Sequence, residues 1–292
     1  MQVHLIYHCV KQGIDCPDGI TAAAIAFEGL LNLRHTVTIA PGYYQKTYAP
    51  LPDIEIPKGT ERITIVDFAY PKEWIQHWLD SGIDVEILEH HADKFPWLGG
   101  FSGAVLDEKE CGSTLAWKRY NNGDPLPELL KHVRNRDIGS NGYYEGTIPE
   151  SEAINLGYGS FRASLKSKPM VEQLQEIYRA IIEPRQHHSF AIVGAAKIEE
   201  RDRLIAECLP KTTLAEVEGI PCAFYDFTED RAIAPHYSIL GHRMCAHHGV
   251  AIAHMIDGRS HHLRSLKSFP ECSRIAKAKG GGGHPCASGW QS

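Results

Sequence analysis

Short apolar runs alternate with helix-patterned segments through the first half of this sequence, and that alternation limits the fold more than any other feature. Val3–Cys9, Thr36–Ala40, Arg62–Asp67, Asp84–Leu88 and Ala104–Leu106 read as buried strands. Between them, an Ala-rich stretch opened by Asp18 runs helically to about Arg34, and a second helix starts at Pro71 and stops at Ser81-Gly82. Strands that alternate with helices form a parallel sheet covered on both faces, an α/β architecture of the doubly wound kind. Beyond residue 149 the pattern changes. Pro149–Ser160 and Pro169–His188 are patterned as helices, and a second α/β alternation follows. It has strands at Phe190–Val193, Cys222–Phe227, Val250–Ile256 and His262–Leu266, and a helix around 236–248.

A length of 292 residues suits two domains better than one. The expected organisation is a catalytic domain over 1–148, a helical connector over 149–188 and a smaller α/β domain over 189–292. No apolar run is long enough to cross a membrane, and the first residues lack the features of a secretion signal. The eight cysteines form no C-x-x-C pair, which argues against a zinc ribbon or a disulfide framework and for reduced thiols in the cytoplasm. Residues 1–159 carry a net charge of −9 and residues 160–292 a net +3. An acidic half suits cations and a basic half suits a phosphorylated ligand, although two solvated surfaces would give the same imbalance.

The strand ends carry the chemistry. His8 closes the first strand, and Asp15 and Asp18 lie in the turn after it. Asp67 closes the third strand, Glu89-His90-His91 the fourth, and Asp137 follows a helical segment. Parallel strands aim their carboxyl ends at one edge, so these groups converge. Carboxylates and imidazoles in such numbers are natural ligands for a pair of divalent cations. Taken singly, each has a plain alternative: a helix cap for Asp18, loop chemistry for the others. The pairs His187-His188 and His247-His248 lack companion ligands and read as ordinary helix residues. Tyr43-Tyr44 and Tyr143-Tyr144 fit loop packing as well as base stacking.

Together these segments resemble the DHH phosphoesterases, the family of RecJ-type exonucleases, nano-RNases and phosphoadenosine-phosphate phosphatases. It also takes in cyclic-dinucleotide phosphodiesterases and inorganic pyro- or polyphosphatases. The carrying motifs are Asp15-Cys-Pro-Asp18-Gly-Ile-Thr-Ala-Ala-Ala, the lone Asp67, Glu89-His90-His91 in place of Asp-His-His, and Asp137. In the C-terminal part they are His262-Leu-Arg-Ser265 and Gly280-Gly-Gly-Gly-His-Pro-Cys-Ala-Ser-Gly289. Two departures stand out. Glu replaces Asp at 89, and six residues separate His8 from Asp15 where the family has a tighter H-x-x-x-D-x-D.

The resemblance implies a hydrolase with two divalent ions, manganese foremost and magnesium, cobalt or iron as alternatives, about 3.5–4 Å apart. Its metal ligands would be His8, Asp15, Asp18, Asp67, His90 and Asp137, with Asp67 shared between the ions and His91 donating to the scissile phosphate. Arg264, Ser265, Gly281, Gly282, Gly283 and His284 would hold the rest of the substrate. A flexible tail is the plain reading of the glycine run. Substrates implied are short oligonucleotides or linear dinucleotides, then inorganic polyphosphate or pyrophosphate. A nucleotide-binding homologue without catalysis stands as a further alternative. A long duplex and a membrane are not expected partners, and a homodimer stays open.

Overall fold

The computed structural model describes residues 1–292 apart from 12–13, 46–47, 51, 53, 92–93, 139–148 and 267–269. For residues 11, 149, 270 and 284 it describes the backbone only. The pair Tyr143-Tyr144 therefore lies outside the described residues. The chain divides into two compact units, Met1–Ala195 and Ala196–Ser292.

The first unit is built on a mostly parallel sheet. Strand β1 (Gln2–Lys11) pairs in parallel with β3 (Thr36–Gly42) on one side and β4 (Arg62–Val66) on the other. Strands β5 (Asp84–Glu89) and β6 (Ala104–Leu106) continue the sheet in parallel beyond β4. A two-residue strand, β2 (Ile14–Asp15), folds back antiparallel on the end of β1. The chain runs from β1 out to β3 through helix α1 (Pro17–Asn32), then returns to the other side of β1 as β4. The order of connection thus reverses between β1 and β4. A crevice opens at the carboxyl ends of two strands so related.

Period-two alternation sorts the strand residues onto two cores. Leu5, Tyr7 and Cys9 of β1, with Val66 and Leu88, face α1, which buries nearly its whole surface. The same core takes in α4 (Gly112–Tyr120), α5 (Glu128–Ile138), α6 (Pro149–Ser164) and α7 (Met170–Ile182). Ile6, Ile63, Ile65, Val85 and Ile87 face the other way, onto Trp74, Ile75 and Trp78 of α2 (Lys72–Asp80) and Leu98 of the short α3 (Phe95–Leu98). The expected strands and helices of this half recur within a residue or two.

Phe190–Val193, expected as a strand, is instead part of the long helix α8 (Gln186–Cys208), within which the division between the units falls. Four apolar residues do not distinguish a strand from one turn of helix. Here Phe190 is buried against Tyr158 and Phe161 of α6, while Ile192 is 74% exposed, a helical distribution.

The second unit has its own six-stranded mixed sheet, in the order β11 (Gly282–His284), β12 (Ala287–Gln291), β10 (Ser260–Ser265), β9 (Ile252–Asp257), β8 (Ile220–Asp226) and β7 (Thr213–Val217). Helix α9 (Tyr237–His248) joins the parallel pair β8 and β9 and packs Leu240, Met244 and Cys245 on one face. Helix α10 (Pro270–Ala278) covers the other with Cys272, Ile275 and Ala276. The glycine run is ordered backbone: Gly280 and Gly281 close α10, the Gly281 N–H donating to the carbonyl of Ala276 at 2.8 Å, and Gly282 enters β11. Among the described residues, no helix is long and apolar enough to cross a membrane.

On this sheet His254 Nε2 and His261 Nδ1 share a hydrogen bond of 3.0 Å, and both rings stack on Trp290. Burial, then the charges that His261, Lys279 and His262 can bring, lower the pKa of His254 from 6.5 to about 4. The unfolded chain therefore binds a proton there that the folded unit refuses, and stability falls as pH drops from 6.5 toward 4. Opening free energies of β9 and β10 amides, measured by hydrogen exchange at pH 7 and at about pH 5, should decline less in His254→Gln than in the native chain.

Candidate metal centre

Three strands of the first unit, with two helices, bring the acidic and imidazole groups together. His8 stands near the end of β1, Asp67 follows β4, and Glu89-His90-His91 closes β5. The first turn of α1 supplies Asp18, and the last turn of α5 supplies Asp137. The Asp67 carboxylate lies at the middle, fully buried. One oxygen meets His8 Nδ1 at 3.2 Å, and the other meets His90 Nε2 at 2.9 Å. His90 Nε2 also faces Asp137, at the solvent rim of the cluster, at 3.4 Å. Among the described residues, ligand-type atoms form three groups, each within 4.8 Å: Asp18 with His90 and Asp137, Asp67 with His90 and His91, and His8 with Cys16 and Asp67.

Local geometry explains how these side chains reach one point. Asp67 has a φ of 60°, the left-handed region that an Asp enters more readily than most residues, at a cost of roughly 1–3 kcal/mol. That turn ends β4 and swings the carboxylate over the strand ends. Gly112, the first residue of α4, approaches so closely that a Cβ there would stand 2.4 Å from Asp67 Cβ and 2.9 Å from Asp18 Oδ2. Gly19 lets α1 begin against β1, since a Cβ on it would meet the His8 carbonyl at 2.3 Å. Asp18 does not cap its own helix. Its Oδ1 accepts the Ser113 N–H at 3.0 Å, at the positive end of α4.

The electrostatics favour either retained protons or added positive charge. Asp18 is 1% exposed, and its Oδ2 is buried with no hydrogen-bond partner. Burial, then the neighbouring carboxylates of Asp67 and Asp137, raise its pKa well above the usual carboxylate range. Desolvation and Asp67 raise Asp137 as well. Burial alone would also raise Asp67, but hydrogen bonds from His8 and His90 outweigh it and hold that group below the usual range. Burial opposes charge on His90, yet Asp67 and then Asp137 and Asp18 lift its pKa to about 9. The proton on His90 thus offsets part of a buried negative charge. The donor set, carboxylate and imidazole with one unsatisfied buried oxygen, fits divalent ions of the Mn, Fe or Zn type.

Glu89 stands outside this set. Fully buried, its Oε1 accepts the backbone N–H groups of His90 at 2.8 Å and His91 at 3.0 Å, together with His91 Nδ1 at 2.6 Å. It fixes the His90-His91 turn and aims the His91 ring, whose Nε2 points away from that bond. Burial alone would lower the pKa of His91, and the Glu89 carboxylate outweighs it and raises that pKa.

Asp15 goes elsewhere. Its carboxylate is paired with Lys166 Nζ and accepts from the Tyr7 hydroxyl at 3.5 Å and the Cys9 thiol at 3.7 Å. The residue whose side chain does join His8 and Asp67 is Cys16, one position on. The spacing from His8 does not reveal this. The local signal is that Cys16, rather than Asp15, begins the turn into the helix.

Of the aromatic residues at the centre, the sequence marks Tyr44 only as loop packing or a base-stacking candidate, and it does not mark Phe68. Tyr44 sets its ring against His8 at 5.3 Å and His91 at 6.1 Å, with Lys94 Nζ 4.9 Å above it. Phe68 stacks on His8 at 5.9 Å.

In the second unit, Arg264 is 8% exposed. Its Nε donates to Ser238 Oγ at 2.8 Å and its Nη1 to the Leu263 carbonyl at 2.7 Å, with the guanidinium 4.8 Å from the Tyr237 ring. Ser265 is buried, and its N–H donates to the Cys286 carbonyl. Strand pairing sets Arg264 opposite Ala287, and Ala287 opposite His284, so the three stand at one level of the sheet. Gly283 has a φ of 128° and a Cβ on it would meet the Ala287 carbonyl at 2.6 Å.

No protein-family model matches this sequence, and no curated protein matches it. Solved structures do. A pGpG-specific phosphodiesterase, PggH from Vibrio cholerae, aligns over 99% of this chain and 92% of its own, at 14% identity and a TM-score of 0.53. RecJ from Thermus thermophilus, in complex with Mn2+, aligns over 99% of this chain and 49% of its own, at 14% identity and a TM-score of 0.48. An uncharacterized protein from Helicobacter pylori G27 aligns over 100% and 93%, at 13% identity and 0.44. This chain spans about half the length of the RecJ chain.

Replacing Asp18 with Asn removes the cost of burying an ionisable carboxyl beside Asp67 and Asp137. Without divalent cations, Asp18→Asn should therefore melt higher than the native chain, by about 2–4 °C per kcal/mol gained. Its rise in melting temperature on adding Mn2+ should be smaller than the native rise, as calorimetry would show. The likeness shows the fold, and the chain shares the two-unit α/β architecture of the pGpG-specific phosphodiesterase PggH.

Proposed function

We propose that the chain is a hydrolase of phosphate esters that works with two divalent cations, manganese foremost, at the strand ends of the first unit. The observation that carries this reading is the convergence of Asp18, Asp67 and Asp137 on His90, the first two fully buried and one Asp18 oxygen unsatisfied. His8 and Asp67 would hold one cation, and Asp18, His90 and Asp137 the other. The two Asp67 oxygens face the two groups separately, as a shared carboxylate would. Divalent ions there would supply positive charge to the phosphoryl oxygens and make a bound water acidic enough to yield hydroxide near neutral pH.

The chain's own groups do the rest. Glu89 accepts from His91 Nδ1 and leaves Nε2 free of that bond, and the Glu89 carboxylate raises the His91 pKa, which favours the charged ring relative to a free imidazole. At 34% exposure, His91 is placed to donate to a non-bridging phosphate oxygen as charge builds in the transition state. Tyr44 and Phe68 fix the His8 ring from two sides and keep its Nδ1 on Asp67.

Substrate holding falls to the second unit in this proposal, through Arg264, Ser265, Gly281, Gly282, Gly283 and His284. Support comes from the register that sets Arg264 and His284 at one level of the sheet, about two strand spacings apart. The substrate class proposed is a short oligonucleotide or linear dinucleotide. PggH, whose fold this chain shares, is a pGpG-specific phosphodiesterase.

The test is a panel with Mn2+: pApA-type and pGpG-type dinucleotides, longer RNA and DNA, phosphoadenosine phosphate and polyphosphate, ranked by kcat/KM. Dinucleotides should lead, and no turnover of any phosphate ester would overturn the proposal. Asp67→Ala should abolish turnover. His91→Gln should lower kcat by about 10²–10³ with little change in KM.

A further inference from the structure

The turn between β1 and α1 offers two acidic or thiol side chains in succession, and only one faces the cluster. The Asp15 carboxylate is taken up by Lys166, Tyr7 and Cys9. The Cys16 sulfur lies within 4.8 Å of ligand-type atoms of both His8 and Asp67. Cys16 is the N-cap residue of α1, in an extended conformation (φ −67°, ψ 131°), but its side chain makes no cap hydrogen bond, so helix capping does not account for its placement. Its carbonyl anchors the backbone by accepting the Ile20 N–H at 3.0 Å. The Asp18 Oδ2, two residues on and buried without a hydrogen-bond partner, belongs to the adjoining group with His90 and Asp137, so unsatisfied ligand-type atoms flank Asp67 on that side as well.

We infer that Cys16, rather than Asp15, completes the cation site of His8 and Asp67, and that its sulfur gives that site a preference for a softer ion. The inference rests on the proposed cation-binding role of the cluster. Replacing a carboxylate oxygen by sulfur moves a site from the Mg and Mn class toward Co, Zn and Fe, because thiolate ligands favour softer cations. On binding, the thiol proton leaves to solvent and the sulfur lone pair enters the metal bond. Of the other cysteines, Cys111 is buried with its sulfur 3.2 Å from Ser113 Oγ, Cys9 is buried with its thiol on Asp15, and Cys286 is exposed in the second unit.

Cobalt(II) distinguishes the possibilities without any turnover. The metal-free protein is titrated with cobalt chloride. Visible d–d bands report any bound ion, and a near-ultraviolet sulfur-to-cobalt charge-transfer band reports a thiolate ligand. The native chain should give both. Cys16→Ser and Cys16→Asp should keep the visible bands and lose the ultraviolet one, and Cys16→Asp should shift the preference from cobalt toward manganese. In parallel, iodoacetamide labelling of Cys16, read by peptide mass, should be suppressed by saturating cobalt while labelling of Cys286 is unchanged. Visible bands without the ultraviolet band in the native chain would overturn the sulfur ligand and leave the cation site standing. No spectral change at all would overturn both. An ultraviolet band that survives in Cys16→Ser would assign the sulfur to another cysteine and overturn the inference.

Discussion

Two carboxylates held out of water, with a third at their rim and one imidazole within reach of all three, form the constraint on which the first unit turns. Buried like charges repel strongly in a low-dielectric interior, so such a group persists only when positive charge is supplied or protons are retained. In this chain the His90 imidazole carries part of that positive charge, wedged between Asp67 and Asp137. The surrounding structure follows from the same need. The sheet reverses its order of connection beside Asp67, α4 presents its N-terminus to Asp18, and the absence of a side chain at Gly112 clears the space between them. The core of the first unit, with α1 buried almost all round, makes this rigid enough to hold against the repulsion.

The division of labour around the third motif also follows from charge. Glu89 reaches one methylene further than Asp, and its Oε1 collects three N–H donors from the turn it belongs to. A carboxylate so satisfied has little left to offer a cation, and its effect is exerted through the orientation and charge of His91. The position has the character of a hinge pin for the two histidines.

Much of this is legible in the residues themselves. Parallel strands with acids at their carboxyl ends announce both the fold and the edge on which a site forms, because strand polarity alone decides which ends meet. His8, Asp18, Asp67, His90 and Asp137 are readable for that reason, and they do converge. Asp15 and Cys16 are not separable, because the choice between them depends on the two-residue strand β2, whose pairing with Cys9 turns Asp15 toward Lys166. Gly112 and Ser113 meet the centre only through tertiary packing and leave no local pattern, and the Tyr43-Tyr44 pair does not reveal that Tyr44 packs on His8 and His91. Phe190–Val193 reads as a strand because four apolar residues carry no period of their own, and α6 decides their conformation. The glycine run spans a helix stop and a strand start, two local roles that composition alone cannot divide.

The left-handed backbone at Asp67 sets a limit on how this centre can drift in sequence. Gly, Asn and Asp enter that region more readily than most residues, and of these only Asp carries a charge. A Glu there would meet both an unfavourable φ and a side chain one bond too long for the space beneath Gly112. Position 89 lies within a regular strand and accepts the longer acid. Two acids that look interchangeable on paper therefore differ in kind: one is fixed by its own backbone, the other free to vary in length so long as it still reaches the turn.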